Sequence, residues 1–262
     1  MSIFDKTIIT KPRAPRITIY GKPGIGKTTL ASQFPRPYFL FTEDPAIDGL
    51  QGQPVQETFD EFWKTLKAIE ASEVLDFDTL VIDSISKLDE LIVRYIIDEE
   101  PANQAAKNNG QPQKITTLGA SCGGYGKGYE RAQRIHRAVK VLLDKFTARG
   151  IGIVLLAHLH IAKYKSPDCD DYDVYSIVMN HDKSREVYID DVDAVLFGRL
   201  KSYADTLDSG KTVIKSTDTR ILVTSVNDVN VAKNRYSMPN EIPMDFEELK
   251  KYIPFYNQGE EQ

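Results

Sequence analysis

The chain has 262 residues, of which 41% are hydrophobic and 27% charged, as is typical of a globular protein with an ordinary core. Its 33 lysines and arginines against 38 aspartates and glutamates give a formal charge of -5, so any binding to nucleic acid must depend on a local cluster of cations. With two cysteines and no apolar run near the ~18 residues of a membrane span, the sequence excludes a disulfide framework and favours a cytoplasmic protein.

Strands and helices alternate over the first part of the chain. Short apolar runs predict buried strands at 17–20, 38–41, 79–82 and 151–157. Apolar residues at helical spacing, or helix-compatible residues between breakers, predict helices at 28–33, 56–71, 84–98 and 129–148. This order predicts an α/β fold with a mainly parallel twisted sheet flanked by helices.

Two long polar segments interrupt this pattern, and segments of such length predict mobile functional loops at 99–128 and 159–184. The remainder is rich in β-forming residues, which predicts an antiparallel C-terminal portion with strands at 187–200, 211–215 and 220–226 and a closing helix at 244–252. The predicted organisation is an N-terminal arm at 1–15, a core at 16–240, and a C-terminal helix and tail at 241–262.

A glycine-rich segment between the first strand and the first helix matches the pattern G-x-x-x-x-G-K-[ST] completely. Its glycines let backbone N–H groups surround a phosphate, Lys27 reaches the β- and γ-phosphates, and the Thr28 hydroxyl binds Mg²⁺. The sequence therefore predicts an ATP site formed by Gly21, Lys22, Pro23, Gly24, Ile25, Gly26, Lys27, Thr28 and Thr29.

Acidic and polar residues follow the other predicted strands, at the edge where open α/β sheets bind ligands. Asp83 is predicted to hold Mg²⁺ together with Thr28, with a simple N-cap of the next helix as the alternative. Glu43 and Asp44 present two carboxylates after the second strand, where they face the nucleotide, and a plain turn at 43–45 is the alternative. His158 is either a γ-phosphate sensor or a hydrogen-bonded histidine at a strand end.

A glutamate after the second strand, an Asp-Ser pair after the next, and a histidine ending the fourth resemble the RecA-like ATPase core. In that core the glutamate is the base that aligns the attacking water, so the resemblance implies this role for Glu43, with Asp44 as its rival. The segments GGYGKGYERA, VLLAHLH and VAKNRY, in this order, further resemble the phage AAA-type nucleotide-binding family that includes short RecA-like single-strand annealing proteins. The resemblance covers about 16–240. It implies a Mg-dependent ATPase that handles single-stranded DNA in phage recombination or replication, with a single-strand DNA-binding protein as a candidate partner.

In RecA-like assemblies a Lys-x-Arg pair from one subunit completes the ATP site of the next, and the resemblance assigns this role to Lys233 and Arg235. It thus implies a homo-oligomer with ATP at subunit interfaces. An arginine finger, which is an arginine supplied by another subunit to the transferred phosphate, increases the rate of hydrolysis by as much as ~10³–10⁵ in known cases. Without the resemblance, a lysine and an arginine two residues apart are often a solvated face.

The two polar loops are the candidate DNA-contacting segments, because the resemblance places such loops at the axis of the assembly. Cations mixed with aromatic rings suit a backbone with stacked bases, and mobile lids without DNA contact are the alternative. The candidate DNA-binding residues are Tyr125, Lys127, Tyr129, Arg131, Lys163 and Lys165. An acidic cluster at 168–173 opposes this role for the second loop.

Two other functions remain open from the sequence. A AAA+-like helicase loader or motor subunit is disfavoured by serine rather than glutamate after Asp83 and by the absence of an obvious helical lid domain. A small-molecule kinase, as a monomeric enzyme, would need neither a finger in trans nor long polar loops.

Overall fold

A single large sheet forms the centre of the computed structural model, which describes residues 12–99, 115–165, 170–206 and 212–257. The strands are β1 Arg16–Gly21, β2 Pro37–Phe41, β3 Gly52–Gln53, β4 Thr79–Asp83, β5 Gly152–Tyr164, β6 Tyr172–Ile177, β7 Ala194–Thr206, β8 Thr212–Val223, β9 Lys233–Asn234 and β10 Glu241–Pro243. The helices are α1 Lys27–Ala31, α2 Phe59–Ala71, α3 Ile85–Asp98, α4 Lys127–Ala148, α5 Asp182–Glu186 and α6 Phe246–Lys250. No helix in these ranges combines the length and apolar character needed to cross a membrane.

The strand order is β10-β8-β7-β1-β5-β4-β2-β3, with β6 paired to β5 and β9 to β7. Neighbours from β7 to β3 run parallel, whereas β6, β8, β9 and β10 pair antiparallel with their neighbours. The predicted α/β fold, with its mainly parallel sheet and antiparallel C-terminal portion, is therefore confirmed. Because β5 lies between β1 and β4, the carboxyl ends of these three strands meet at one edge.

Alternating side chains of the parallel strands supply two separate cores, one on each face of the sheet. On one face Tyr20, Leu80 and Leu155 pack against α2, α3 and α4. On the other face Ile19 and Val81 pack against α1 and α6. Helices on both faces leave the parallel strands buried on both sides, as their continuous apolar runs require.

A buried polar network ties α3 and α4 to the segment that follows β6. The ring nitrogens of His136 lie 2.9 Å from Asp89 Oδ1 and 2.9 Å from the hydroxyl of Tyr188. Asn180 donates its backbone and side-chain N–H groups to Asp89 Oδ2, both at 2.7 Å. Although burial raises the pKa of Asp89, the hydrogen bonds from His136 and Asn180 hold it below its usual value.

The segment predicted as a loop over 159–184 contains regular structure instead. β5 continues to Tyr164 and forms an antiparallel hairpin with β6, with Leu159 opposite Ile177 and Tyr164 opposite Tyr172, and α5 follows. The hairpin extends beyond the parallel sheet, and its exposed side chains mix apolar residues such as Ile161 with charged residues such as Lys163, so no long apolar run marks it in the sequence. Residues 166–169 lie outside the described ranges.

Other boundaries also differ from those predicted. The strand predicted at 187–200 begins only at Ala194. Val187 and Tyr188 lie in turns after α5, where their side chains are buried without belonging to a strand. The strands predicted at 211–215 and 220–226 form the single strand β8, which pairs with β7 along its length. In the first predicted loop, 115–126 forms turns and a 3-10 turn, and 100–114 lies outside the described residues. β10 pairs with β8 at the edge of the sheet, and α6 packs against one face of the same sheet.

Candidate functional site

The glycine-rich loop leaves β1 at Gly21 and enters α1 at Lys27. A Cβ atom at Gly21 would lie 2.5 Å from the carbonyl oxygen of Gly198 on β7, so a larger residue would push the strands apart. Gly24 and Gly26 have φ angles of 76° and 102°, in the left-handed region that glycine favours. These conformations curve the backbone so that it can surround a phosphate.

Lys27 folds back over this loop. Its Nζ donates to the carbonyl oxygens of Gly21 at 3.1 Å and Lys22 at 3.3 Å, and its side chain is largely buried. Burial lowers the pKa of Lys27, and the charges of Asp83 and Glu43 oppose that effect. An ammonium held by carbonyl groups alone is well placed to bind an incoming phosphate oxygen.

Asp83, the last residue of β4, meets Thr28 across β5. The Thr28 hydroxyl donates to Asp83 Oδ2 at 2.9 Å, and both residues are buried. Burial raises the pKa of Asp83, and the nearby charge of Glu43 raises it further, against the hydrogen bond from Thr28. A buried carboxylate beside a hydroxyl is a pair of hard oxygen ligands that fits Mg²⁺, which completes its coordination with waters and phosphate oxygens.

Glu43 lies two residues beyond the end of β2 and is positioned through Thr42. The Thr42 backbone N–H donates to the Asp83 carbonyl at 2.8 Å, and its hydroxyl both donates to the Ser84 carbonyl and accepts from the Ser84 N–H. These bonds fasten the carboxyl ends of β2 and β4 together. As a result the Glu43 carboxylate lies beside Asp83 and Lys27.

His158 lies where β5 leaves the parallel sheet, opposite Gly21 of β1. Its Nε2 is 2.9 and 3.0 Å from the two carboxylate oxygens of Glu43, and Ser86 Oγ accepts from its backbone N–H at 3.0 Å. Burial raises the pKa of Glu43, but hydrogen bonds from His158 and Ser84 and the charge of Lys27 bring it below its usual value. Glu43 is therefore an ionised acceptor at neutral pH.

Six of the nine predicted loop residues, the three acidic candidates and His158 border one cavity of about 340 Å³, whereas Gly21, Lys22 and Ile25 do not line it. Its lining residues are Pro23, Gly24, Gly26, Lys27, Thr28, Thr29, Glu43, Asp44, Ala46, Ile47, Asp83, His158 and Arg220. Asp44 borders the cavity as well, but it is Glu43 that hydrogen-bonds to His158 and Ser84. The geometry favours Glu43 over Asp44 as the residue that orients water.

Arg220 was not expected at this site. It comes from β8, far along the chain, and its guanidinium lies over Gly26. In the strand order, β8 and β2, which precedes Glu43, lie on opposite sides of β1. A lone arginine in a strand carries no motif. The pairing of β7 with β1, together with that of β8 with β7, brings it to the loop, so no sequence signal could have identified it.

Lys233 and Arg235 lie away from this cavity, near the amino ends of β1 and β7. Lys233 Nζ donates to the carbonyl oxygens of Ile189 and Asp190. Arg235 donates to Asp193 at 3.1 Å, a carboxylate that Arg13 also contacts. Within one chain neither residue reaches the glycine-rich loop, so a role in ATP hydrolysis requires a neighbouring subunit.

The DNA candidates from the first loop differ in their exposure. Tyr125 is fully exposed, and Lys127 is exposed at the start of α4. Tyr129 instead stacks on His181 with ring centroids 4.7 Å apart, and Arg131 pairs with Glu99. Tyr125 and Lys127 are thus free to meet a ligand, whereas Tyr129 and Arg131 already have intramolecular partners.

The remaining DNA candidates are carried by the β5–β6 hairpin. Lys163 and Lys165 are exposed, and Lys163 lies 3.3 Å from Asp173 of β6. Both partners of this pair are largely in solvent, so the interaction is weak and leaves the lysine available. The exposed side chain of Tyr164 packs against Tyr172 with centroids 5.3 Å apart. The hairpin therefore combines cations with aromatic surface.

A glycine-rich loop between a strand and a helix, with a lysine, a threonine and a strand-end aspartate at one edge of a parallel sheet, defines a P-loop ATPase core. The AAA domain family matches residues 13–236, which is most of the chain, and the protein belongs to that family. No curated protein matches it. The expectation of an AAA-type nucleotide-binding ATPase is confirmed.

Proposed function

We propose that this AAA domain protein is a Mg-dependent ATPase that oligomerises and binds single-stranded DNA in phage recombination, annealing or replication. The observation that carries the ATPase part is the convergence of Lys27, Thr28, Asp83, Glu43 and His158 on one cavity. These groups come from α1, from the segment after β2, and from β4 and β5, and chance would not collect them around a glycine-rich loop.

Each residue has a definite task in this proposal. Lys27 neutralises charge on the β- and γ-phosphate oxygens, while Thr28 and Asp83 hold Mg²⁺. The Mg²⁺ ion, when bound, offsets the charge that develops on the transferred phosphate. Glu43 accepts a hydrogen bond from the attacking water and orients it, and His158 holds the Glu43 carboxylate in place.

The link between ATP and DNA is supported by the course of β5. His158 contacts Glu43, and the next residues along the same strand form the hairpin that carries Lys163. One continuous element thus joins a residue of the ATP site to a surface that suits a DNA backbone. Occupation of the hairpin by DNA would reposition His158 and thereby change the rate of hydrolysis.

The oligomer is supported by the position of Lys233 and Arg235. Both lie near the end of the sheet opposite the glycine-rich loop, and the guanidinium of Arg235 is about half exposed. Asp193 fixes its direction. In a head-to-tail assembly these cations would reach the phosphate of a neighbouring subunit, which makes hydrolysis dependent on assembly.

The test is ATP hydrolysis with and without single-stranded DNA, measured together with the mass in solution. We expect DNA to stimulate phosphate release and ATP to favour an oligomer. Hydrolysis by a DNA-insensitive oligomer that requires a partner helicase would support a loader. Transfer of phosphate to a small molecule by a monomer would support a kinase, and either result would overturn the proposal.

The DNA surface is tested by substituting Tyr125, whose ring is fully exposed. Loss of a stacked base costs about 1–3 kcal/mol, so Tyr125→Ala should bind a labelled oligonucleotide about 5- to 150-fold more weakly. Val74→Ala is the matched control, because Val74 is 84% exposed but lies before β4, at the opposite edge of the sheet. Equal binding by both variants would place the DNA elsewhere.

A further inference from the structure

A second cation faces the glycine-rich loop from β8. If Gly26 carried a Cβ atom, that atom would lie 3.0 Å from Nη1 of Arg220, 3.7 Å from its Cζ and 3.8 Å from its Cδ. The guanidinium therefore lies directly over the residue that precedes Lys27. It borders the same cavity as Lys27 and Glu43.

The backbone of Arg220 is held from both sides. It pairs with Leu200 of β7, and its carbonyl oxygen accepts from the N–H of Met244 at 3.1 Å. None of the described residues forms an ion pair with the Arg220 side chain, whereas the neighbouring Arg199 pairs with Glu241 at 2.8 Å. Arg220 therefore presents an unpaired guanidinium from a fixed strand.

The balance of charges around the cavity indicates a role for Arg220 in binding phosphate. Lys27 and Arg220 are its cations, against the three carboxylates Glu43, Asp44 and Asp83. A triphosphate placed among three carboxylates needs more than one fixed positive charge. A guanidinium is suited to this task because its planar N–H groups match two phosphate oxygens at once.

The two sides of the loop have different chemistry. β5, β4 and β2 lie on one side of β1 and bring His158, Asp83 and Glu43, whereas β7 and β8 lie on the other and bring Arg220. The phosphate to be cleaved belongs beside the carboxylates and the metal ligands. The remainder of the phosphate chain then runs toward Arg220.

We infer that Arg220 binds the phosphate chain of the nucleotide on the side away from the cleaved bond, in the same subunit. This inference rests on the proposed ATPase function and adds a positioning residue to it. Arg220 contacts phosphates that ATP and ADP share. Its loss therefore weakens the binding of both nucleotides by a similar factor, and kcat at saturating ATP changes little.

The experiment measures binding of fluorescently labelled ADP and ATP with Mg²⁺ to Arg220→Ala, Arg220→Lys and Arg199→Ala, together with kcat and KM for ATP. For Arg220→Ala we expect about 10- to 100-fold weaker binding of both nucleotides, the range for loss of a charged hydrogen bond. Arg220→Lys keeps the positive charge but lacks the paired N–H donors of the guanidinium, so it should recover part of the lost nucleotide affinity. Arg199→Ala removes an arginine from the adjoining strand that does not border the cavity, and should bind as wild type.

ADP binding by Arg220→Ala within twofold of wild type would overturn the inference, as would a loss confined to kcat, which would place Arg220 at the cleaved phosphate. Lys27→Ala in the same assay separates this failure from failure of the proposed function. If wild type binds and Lys27→Ala does not, the ATP site stands whatever Arg220 does. If wild type binds neither nucleotide, both proposals fall. Circular dichroism melting verifies that Arg220→Ala is folded.

Discussion

Replacement of Glu43 by glutamine tests the chemistry of the site most directly. The substitution keeps the size and shape of the side chain, and an amide oxygen can still accept a hydrogen bond from His158, which lies 2.9 Å from the carboxylate. It removes the negative charge that polarises the attacking water. The lysine, the metal ligands and the glycine-rich loop are all left unchanged, so nucleotide binding should persist.

The magnitude follows from what the carboxylate contributes. General base catalysis by a positioned side chain contributes about 10²–10⁴ in rate, so Glu43→Gln should hydrolyse ATP at least ~100-fold more slowly. A factor of 100 corresponds to about 2.7 kcal/mol in the barrier. Because hydrogen bonds and charge hold the pKa of Glu43 below its usual value, the wild-type side chain is fully ionised at neutral pH and the whole effect should be visible there.

The assay is phosphate release at saturating Mg-ATP, with nucleotide binding measured separately by fluorescence. Asp44→Asn is the matched control, because Asp44 borders the same cavity and the substitution removes the same charge. We expect near-normal turnover from that variant. If Asp44→Asn is the slow variant and Glu43→Gln is not, the contact with His158 does not identify the base and the reasoning is refuted.

Further expectations concern the phosphate lysine, the finger in trans, the DNA surface and the buried network. Lys27→Ala should abolish hydrolysis and weaken ATP binding, because the variant lacks the ammonium that neutralises the β- and γ-phosphate oxygens. Undiminished phosphate release would contradict the ATPase assignment. Arg235→Ala should bind nucleotide but lose most hydrolysis, and mixing it with Lys27→Ala should restore part of the activity through mixed interfaces; full activity of a monomer at every dilution would exclude a finger in trans. Binding of single-stranded DNA should weaken steeply with salt in wild type and, to the same degree, in Tyr125→Ala, because the salt dependence comes from cations; anisotropy that is insensitive to salt would contradict this. Asp89→Asn should cost about 1–3 kcal/mol at pH 7, because it weakens the buried hydrogen bonds from His136 and Asn180. Because its folded pKa is depressed, this contribution is present above the unfolded value of ~3.9 and lost below it, so thermal melting of the two proteins should converge on acidification.

The buried parallel strands and the residues that meet at their carboxyl ends could be predicted from the sequence. The strands that precede Gly21, Glu43, Asp83 and His158 are short apolar runs, and a buried parallel strand needs nothing else to be recognised. The glycine-rich loop could be recognised locally, because the glycines that adopt left-handed conformations and the lysine lie within one short stretch of the sequence. Parallel topology then brings the strand ends together.

Features that depend on contacts between separate segments became visible only in the folded chain. The hairpin after His158 mixes apolar, aromatic and charged side chains without a long apolar run, so only its pairing with β6 distinguishes it from a loop. Tyr129 and Arg131 suit DNA by residue type, but packing gives them His181 and Glu99 as partners. Arg220 borders the cavity because β7 pairs with β1 and β8 pairs with β7. The pairing of β1 with β7 joins segments far apart in sequence and leaves no local pattern.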